Sequence, residues 1–342
     1  MLFRVKFIKR AFEQGIAAVG LIVILGAVAL VSTGWFAGKF RNFGYQDGMA
    51  VNSSPPTILA EVLPVAQPSI KILFLGDLMF DRKIRQAAAK NGNDYIFEPV
   101  KNLLADNDLV VANLEGPLTP SKSVAAYSAP GSSANYIFTF DPGLAKTLFA
   151  QNIRLVNLGN NHILNFGQKG LTQTKKYLVA AGVEYFGEPA KDKLSVIINI
   201  SGLKIGFINY NQFSGREDET QKTLEEITKI KAQVDVVLLY THWGVEYAKK
   251  PNAALKNLAH KFIEQGADLI IGTHSHVLGE KEEYRGKMIY YSLGNFIFDQ
   301  YFNEEVRQSL AVKVTIDAET RELQFNETGL HLESNGQTAV KN

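Results

Sequence analysis

The 342-residue chain contains no cysteine. That absence excludes disulfides, thiolate metal sites and a cysteine nucleophile, and leaves the redox compartment open. Charge of one sign is also scarce: 36 Lys and Arg stand against 34 Asp and Glu, a net +2, with no long basic run beyond the N-terminus. No nucleic-acid footprint is expected from such a balance. The sequence shows no internal repeat. Histidine is rare at six residues, yet two of them, His274 and His276, sit two positions apart in the stretch ADLIIGTHSHVLG at 267–279. The remaining composition, 46% hydrophobic and 20% charged, is that of a globular protein.

Charge disappears entirely over 16–37, IAAVGLIVILGAVALVSTGWFA, about 22 positions and enough to cross a ~30 Å hydrocarbon core. Arg4, Lys6, Lys9 and Arg10 precede this run, and only Lys39 and Arg41 closely follow it. The bias keeps the N-terminus cytoplasmic, and Trp35 and Phe36 stand where an interfacial anchor belongs. The rival, a cleaved signal peptide, has a shorter apolar region of ~7–15 residues and a small-x-small end, which is not clear here. The expectation is an uncleaved single-pass anchor in the cell membrane, with everything beyond residue 40 extracytoplasmic. Residues 42–69, with Pro55, Pro56, Pro64 and Pro68, read as a linker. If flexible, it would reach roughly 30 Å.

From Ile70 onward, short apolar runs alternate with amphipathic stretches. Strands are expected at 70–77, 108–115, 153–161, 194–200, 203–210, 235–244, 268–274 and 287–296, and helices at about 82–90, 142–151, 170–181, 220–233 and 252–265. Continuous Val/Ile/Leu strands alternating with helices predict an α/β layered fold with the sheet covered on both faces. The run LSVIINISGLKIGFINY reads as a hairpin about Ser201-Gly202, and the segments after Phe298 read as antiparallel, so mixed pairing is expected.

Ligands in open α/β sheets bind beyond the carboxyl ends of the strands. Those ends carry Gly76-Asp77, Asn113-Leu114-Glu115, Gly159-Asn160-Asn161-His162, Thr241-His242-Trp243 and Gly272-Thr273-His274-Ser275-His276. Each has a plainer reading: a strand running into a turn, a surface glutamate, a helix cap, a hydrogen-bonded histidine. Their joint occurrence at one end of successive strands points to a divalent-metal site. Imidazole and carboxylate donors suit zinc, manganese or iron. On a strand, His274 and His276 would face the same side. A two-carboxylate glycosidase using Asp77 and Glu115 is a weaker rival, because it leaves the histidines without a task.

The motifs GDLMFDR, ANLEGPL, LGNNHILNFG, HWGVEY, GADLIIGTHSHV and IYYSLGNFIFD resemble, in order and spacing over about 70–300, the bacterial capsule-biosynthesis CapA family. That family includes the PgsA subunit of poly-γ-glutamate synthesis and belongs to the calcineurin-like metallophosphoesterase superfamily. The resemblance implies a layered calcineurin-like fold with mixed β-sheets flanked by helices, preceded by a single transmembrane helix. It implies an organisation of 1–11 basic segment, 12–38 anchor, 39–69 linker, 70–316 CapA-like domain and 317–342 C-terminal strands. It further implies Asp77, Glu115, Asn161, His242, His274 and His276 as ligands of one or two divalent ions, and His162 as general acid. Arg82, Asn160 and Asn295 are substrate-contact candidates, although Arg82 also fits an exposed helix start and Trp243 fits either a pocket wall or packing. Two departures stand out: Met79 replaces the histidine of the first motif, and Asn165 stands where relatives carry an aspartate. The implied function is metal-dependent hydrolysis of a phosphoester or related bond in capsule or poly-γ-glutamate-type polymer biosynthesis. The implied partners are the bilayer, a polymer-synthase complex and an anionic polymer. The alternative is a weakly or non-catalytic subunit for polymer assembly, export or tethering.

Overall fold

The computed structural model describes residues 69–189 and 193–341. The expected anchor at 12–38 and the linker up to residue 68 lie outside the described residues. Among the described residues, no helix is long and apolar enough to cross a membrane.

The strands are β1 (Ser69–Leu78), β2 (Leu109–Leu114), β3 (Ile153–Asn157), β4 (Glu184–Phe186), β5 (Ser195–Ile200), β6 (Leu203–Asn211), β7 (Val236–His242), β8 (Leu269–Thr273), β9 (Lys281–Tyr284), β10 (Lys287–Tyr290), β11 (Asn295–Ile297), β12 (Gln308–Asp317), β13 (Leu323–Leu332) and β14 (Thr338–Val340). The α-helices are α1 (Arg82–Asn91), α2 (Lys101–Ala105), α3 (Leu144–Ala150), α4 (Gly167–Ala181), α5 (Glu219–Lys231) and α6 (Ala253–Gln265). One sheet runs β14-β13-β12-β1-β2-β3-β4 with β11 also on β1, and the other runs β5-β6-β7-β8-β10-β9. Both are mixed. The parallel cores β1-β2-β3-β4 and β6-β7-β8-β10 are flanked by antiparallel strands.

Alternation along the strands builds the layers. Ile70, Ile72 and Phe74 of β1 meet Phe207, Leu238 and Leu269 of the second sheet in a core between the sheets. Leu73 and Leu75 point the other way, into a core with Ile84 and Leu171 of α1 and α4. Val237, Leu239 and Ile270 pack outward on α5 and α6. Helix α6 follows the same logic: Asn252 caps it by accepting from the Leu255 amide at 2.8 Å, and Ala259, Phe262 and Ile263 form its buried stripe. The β5–β6 hairpin turns at Ser201 (φ 50°) and Gly202 (φ 90°), the left-handed pair that a two-residue turn requires. Strands β13 and β14 extend the first sheet without a break from β12.

One expected strand, 287–296, is two. Strand β10 pairs with β8 in the second sheet, and β11 pairs with β1 in the first. The segment between them passes from sheet to sheet, with Leu293 donating to the Gly272 carbonyl (2.9 Å) and Asp77 donating to the Gly294 carbonyl (3.2 Å). Glycine makes the passage possible. A Cβ at position 76 would lie 1.8 Å from the Gly294 oxygen, and one at position 272 would lie 2.1 Å from the Tyr291 oxygen.

Candidate metal centre

The parallel strands β1, β2 and β3 of one sheet and β7 and β8 of the other end at a common rim. Asp77, within β1, is fully buried. Its Oδ1 accepts from the Asn113 amide (2.7 Å), and its Oδ2 accepts from the His274 backbone N–H (3.1 Å). Asn113 is itself fixed, because its Oδ1 accepts from Asn157 (2.9 Å) and Asn160 (3.1 Å). This row of amides orients Asp77 before any ligand arrives.

Glu115, just past β2, is the centre of the cluster. Its Oε1 lies 3.9 Å from Nε2 of His162, 3.9 Å from Nε2 of His242 and 3.8 Å from Nε2 of His276. Among the described residues, neither of its buried carboxylate oxygens has a hydrogen-bond partner. An orphaned carboxylate in a dry site is costly unless something positive completes it. Asp77, Glu115 and His276 each bring one ligand atom within 4.8 Å of the others.

A second group adjoins it. The Thr273 hydroxyl donates to the Thr241 carbonyl (2.8 Å), and its oxygen lies 3.0 Å from Nδ1 of His242, which the Asn113 amide nitrogen also approaches at 3.3 Å. Nε2 of His242 faces Oδ1 of Asn161 at 3.0 Å and Nδ1 of His274 at 3.2 Å. Donor atoms held ~2.1 Å from one cation stand ~3.0–3.4 Å apart, which is the spacing seen here. The six expected ligands thus converge as two sets sharing Glu115: Asn161, His242 and His274 on one side, Asp77 and His276 on the other.

The electrostatics follow from burial. Burial, and then Asp77, push the Glu115 carboxyl well above its ordinary value. Burial pulls His242 well below its usual range, takes His274 to about 3 and takes His162 to about 4. Burial alone would lower His276 too, but the Glu115 and Asp77 carboxylates reverse this and hold it up to about 9. Three of the four imidazoles are therefore neutral at pH 7, the state in which they offer lone pairs.

The His-x-His geometry has a different origin from strand alternation. Strand β8 stops at Thr273, and His274 (φ 94°) and His276 (φ 56°) both take left-handed backbone. Such conformations cost non-glycine residues about 1–3 kcal/mol each and persist where surrounding contacts impose them. Here Asp77 holds the His274 amide, and Asn295 Oδ1 accepts from Nδ1 of His276 at 2.8 Å. The other two histidines are elsewhere: His260 pairs with Glu282, and His331 with Glu333.

Two expected substrate contacts are supports. Asn160 donates to Asn113 and Leu114 and accepts from the His162 and Ile163 amides, so its polar atoms are committed to the frame. Asn295 is fully buried and committed to His276 and Gln300. Arg82 stands at the rim, its guanidinium bonded to Asp299 and Asn135 and lying 5.1 Å over Phe138 and 5.4 Å over Phe298. Trp243 is buried, donates to the Tyr291 carbonyl (3.0 Å) and packs on that ring.

The two sequence departures have structural consequences. Met79 is buried, and its sulfur accepts from the Asp81 amide at 3.0 Å. Asn165 keeps its contact with the acid candidate: Oδ1 accepts from the Phe138 amide (2.7 Å) and faces Nδ1 of His162 (3.1 Å), leaving Nε2 toward Glu115. Residues that sequence reasoning gave no role are Asn157, Thr273 and Asp299, together with Phe138, Phe213 and Phe298. These three rings wall His162 (4.4 Å), His274 (4.1 Å) and His276 (4.8 Å) respectively. Nothing in a lone Asn, Thr or Phe marks it in advance.

Comparison with known proteins agrees with the motif pattern. Residues 71–300 match the family described as Bacterial capsule synthesis protein PGA_cap. The PGA biosynthesis protein CapA of Bacillus subtilis (strain 168) is 31% identical over 244 residues, 66% of this chain and 63% of that protein, so the match spans less than two thirds of that relative. The Capsule biosynthesis protein CapA of Bacillus anthracis is 28% identical over 313 residues, 86% of this chain and 71% of that protein. Among solved structures, a hypothetical protein from Thermus thermophilus shares the fold with a TM-score of 0.50 at 15% identity, covering 77% of this chain and 99% of that one. With the family match running across most of the chain and every described strand end of the rim, this protein belongs to the bacterial capsule synthesis (PGA_cap) family.

Proposed function

We propose that this protein is a membrane-anchored, extracytoplasmic, metal-dependent hydrolase that acts on a phosphoester or related bond during the making of a capsule or poly-γ-glutamate-type surface polymer. The observation that carries the reading is Glu115, whose two buried oxygens accept no hydrogen bond among the described residues while the Nε2 atoms of three imidazoles stand within 3.9 Å of Oε1. The names of the Bacillus relatives supply the polymer setting. The uncharged run at 16–37 supplies the anchor.

The donor set fits divalent cations of the zinc, manganese or iron kind: carboxylate oxygens, an amide oxygen and imidazoles, with no thiolate. Asn161, His242 and His274 with Glu115 would hold one ion, and Asp77, Glu115 and His276 a second, more weakly held one. Such ions supply Lewis-acid polarisation of the scissile group and activation of water. The chain does the rest. Asn113 and Asn295 keep Asp77 and His276 in register. The rings of Phe138, Phe213 and Phe298 narrow water access. His162, its Nδ1 held by Asn165, presents Nε2 to the same space; neutral at pH 7, it would first take a proton there and then pass it to the leaving oxygen.

The test uses the purified full chain. Elemental analysis should find about one or two metal ions per chain, and added manganese or zinc should support hydrolysis of a nitrophenyl phosphodiester. The His242→Ala, His274→Ala double variant should lose both metal and turnover. Normal turnover in that variant would rule the reading out. A second reading, a weakly or non-catalytic subunit that assembles, exports or tethers an anionic polymer, is favoured by Met79 in the place of a ligand and by Asn165 in the place of a carboxylate. Co-purification with a membrane synthase, with polymer yield unchanged when the ligands are substituted, would select it.

A further inference from the structure

Beside the cluster lies a cleft of about 690 Å3. Two of its walls touch the cluster's surroundings. Tyr247 stands 6.3 Å from the ring of His276 and donates its amide to the Ser275 carbonyl (2.7 Å). Arg82 lies over Phe138, the ring against His162. Tyr247 and Arg82 thus stand between the cleft and the cluster.

The lining is aromatic rather than ionic. Tyr127, Tyr136, Tyr247, Tyr301 and Phe302 line it, against Arg82, Lys83 and Asp299. Four of those rings are open to solvent: Tyr127 is 90% exposed, Phe302 64%, Tyr136 52% and Tyr247 43%. Apolar side chains scattered singly need no explanation, but several gathered round one cleft mark a binding surface. Asp299 neutralises Arg82, leaving the cleft a net charge near that of Lys83 alone. A polymer with a carboxylate on every unit needs a row of cations, and this cleft has none. A nucleic-acid strand carries a phosphate on every unit and would need the same row of cations. A chain of uncharged pyranose rings fits better, because their flat C–H faces pack on tyrosine and phenylalanine. The amide side chains of Gln86, Asn135 and Gln300 lie alongside to meet hydroxyls.

We propose that this cleft, which opens beside the metal cluster, binds a neutral glycan chain. Binding there does not rest on the hydrolase reading. The experiment is calorimetry on the full chain, in a detergent without a sugar headgroup, titrated with N-acetylglucosamine oligomers of about two to six units, a span suited to such a cleft. Affinity should climb with length and then level off. Tyr127→Ala and Phe302→Ala should each weaken binding about tenfold, the loss of one ring face, with metal content and melting temperature unchanged. The His242→Ala, His274→Ala variant should still bind the oligomers, so failure of hydrolysis and failure of glycan binding are read separately. The proposal is overturned by absence of length-dependent binding, by γ-glutamate oligomers or a mononucleotide taking the same site more tightly, or by self-association that the two ring substitutions abolish.

Discussion

Glu115 and Asn295 show how differently two buried polar residues can serve one site. Among the described residues the Glu115 carboxylate accepts no hydrogen bond and is held open for something outside the chain, whereas Asn295 is fully used by the chain. Glu115→Gln should therefore abolish metal retention yet stabilise the chelator-treated protein by about 1–3 kcal/mol, since a carboxyl whose ionisation burial and Asp77 oppose is replaced by a group that cannot ionise. Melting curves with and without chelator check this, and a destabilised metal-free variant would contradict it. Asn295→Ala should lower metal affinity about 10–100-fold by freeing His276 to rotate, as loss of a ligand's hydrogen-bond partner does elsewhere. A competitive metal titration reads it, and unchanged affinity would mean that Asn295 only fills space. Acids and imidazoles at strand ends were legible in sequence because their chemistry is unusual there. The supports were not, because an asparagine reads alike whether it faces a ligand or a neighbour.

The elements that build the rim depend on close backbone approach. Strands β1 and β8 deliver Asp77 and His274 only because Gly76 and Gly272 let the segment from Tyr291 to Gly294 pass against them. Gly272→Ala would place a methyl 2.1 Å from the Tyr291 oxygen and 2.7 Å from the indole nitrogen of Trp243. Overpacking against backbone should cost about 1–3 kcal/mol and loosen His274 as well. Thermal unfolding and metal content measured together test the coupling, and a variant with wild-type values for both would show the passage to be more tolerant than its geometry implies. Most elements were legible from periodicity: β1, β6, β7 and α6 fall within a few residues of expectation. Strands β4, β9, β11 and β14 were not resolved as separate strands. At 3 or 4 residues each, they are too short to show a period, and their partners come from elsewhere in the chain.

At the scale of the molecule, the cluster spans both sheets. Asp77 lies in β1, Glu115 and Asn161 follow β2 and β3, His242 ends β7, and His274 and His276 follow β8, across a core that the sheets share. A cation held there would tie the two sheets together, so manganese or zinc at about 100-fold excess over its Kd should stabilise the fold by about 3 kcal/mol. Melting temperature should rise by several degrees in the wild type and not at all in the His242→Ala, His274→Ala variant. Equal shifts in both would place the cation elsewhere.

The sequence by itself determined the alternation of strands and helices, the layered α/β class, the family through six ordered motifs, and the chemical type of the rim, because periodicity and residue chemistry are local properties. Only the tertiary structure decided which strands belong to which of the two sheets, and that one apolar run divides between them. It alone revealed that His274 and His276 converge through left-handed backbone, and that Glu115 accepts no hydrogen bond among the described residues. Those outcomes depend on which distant segments meet, and on what each buried atom then lacks.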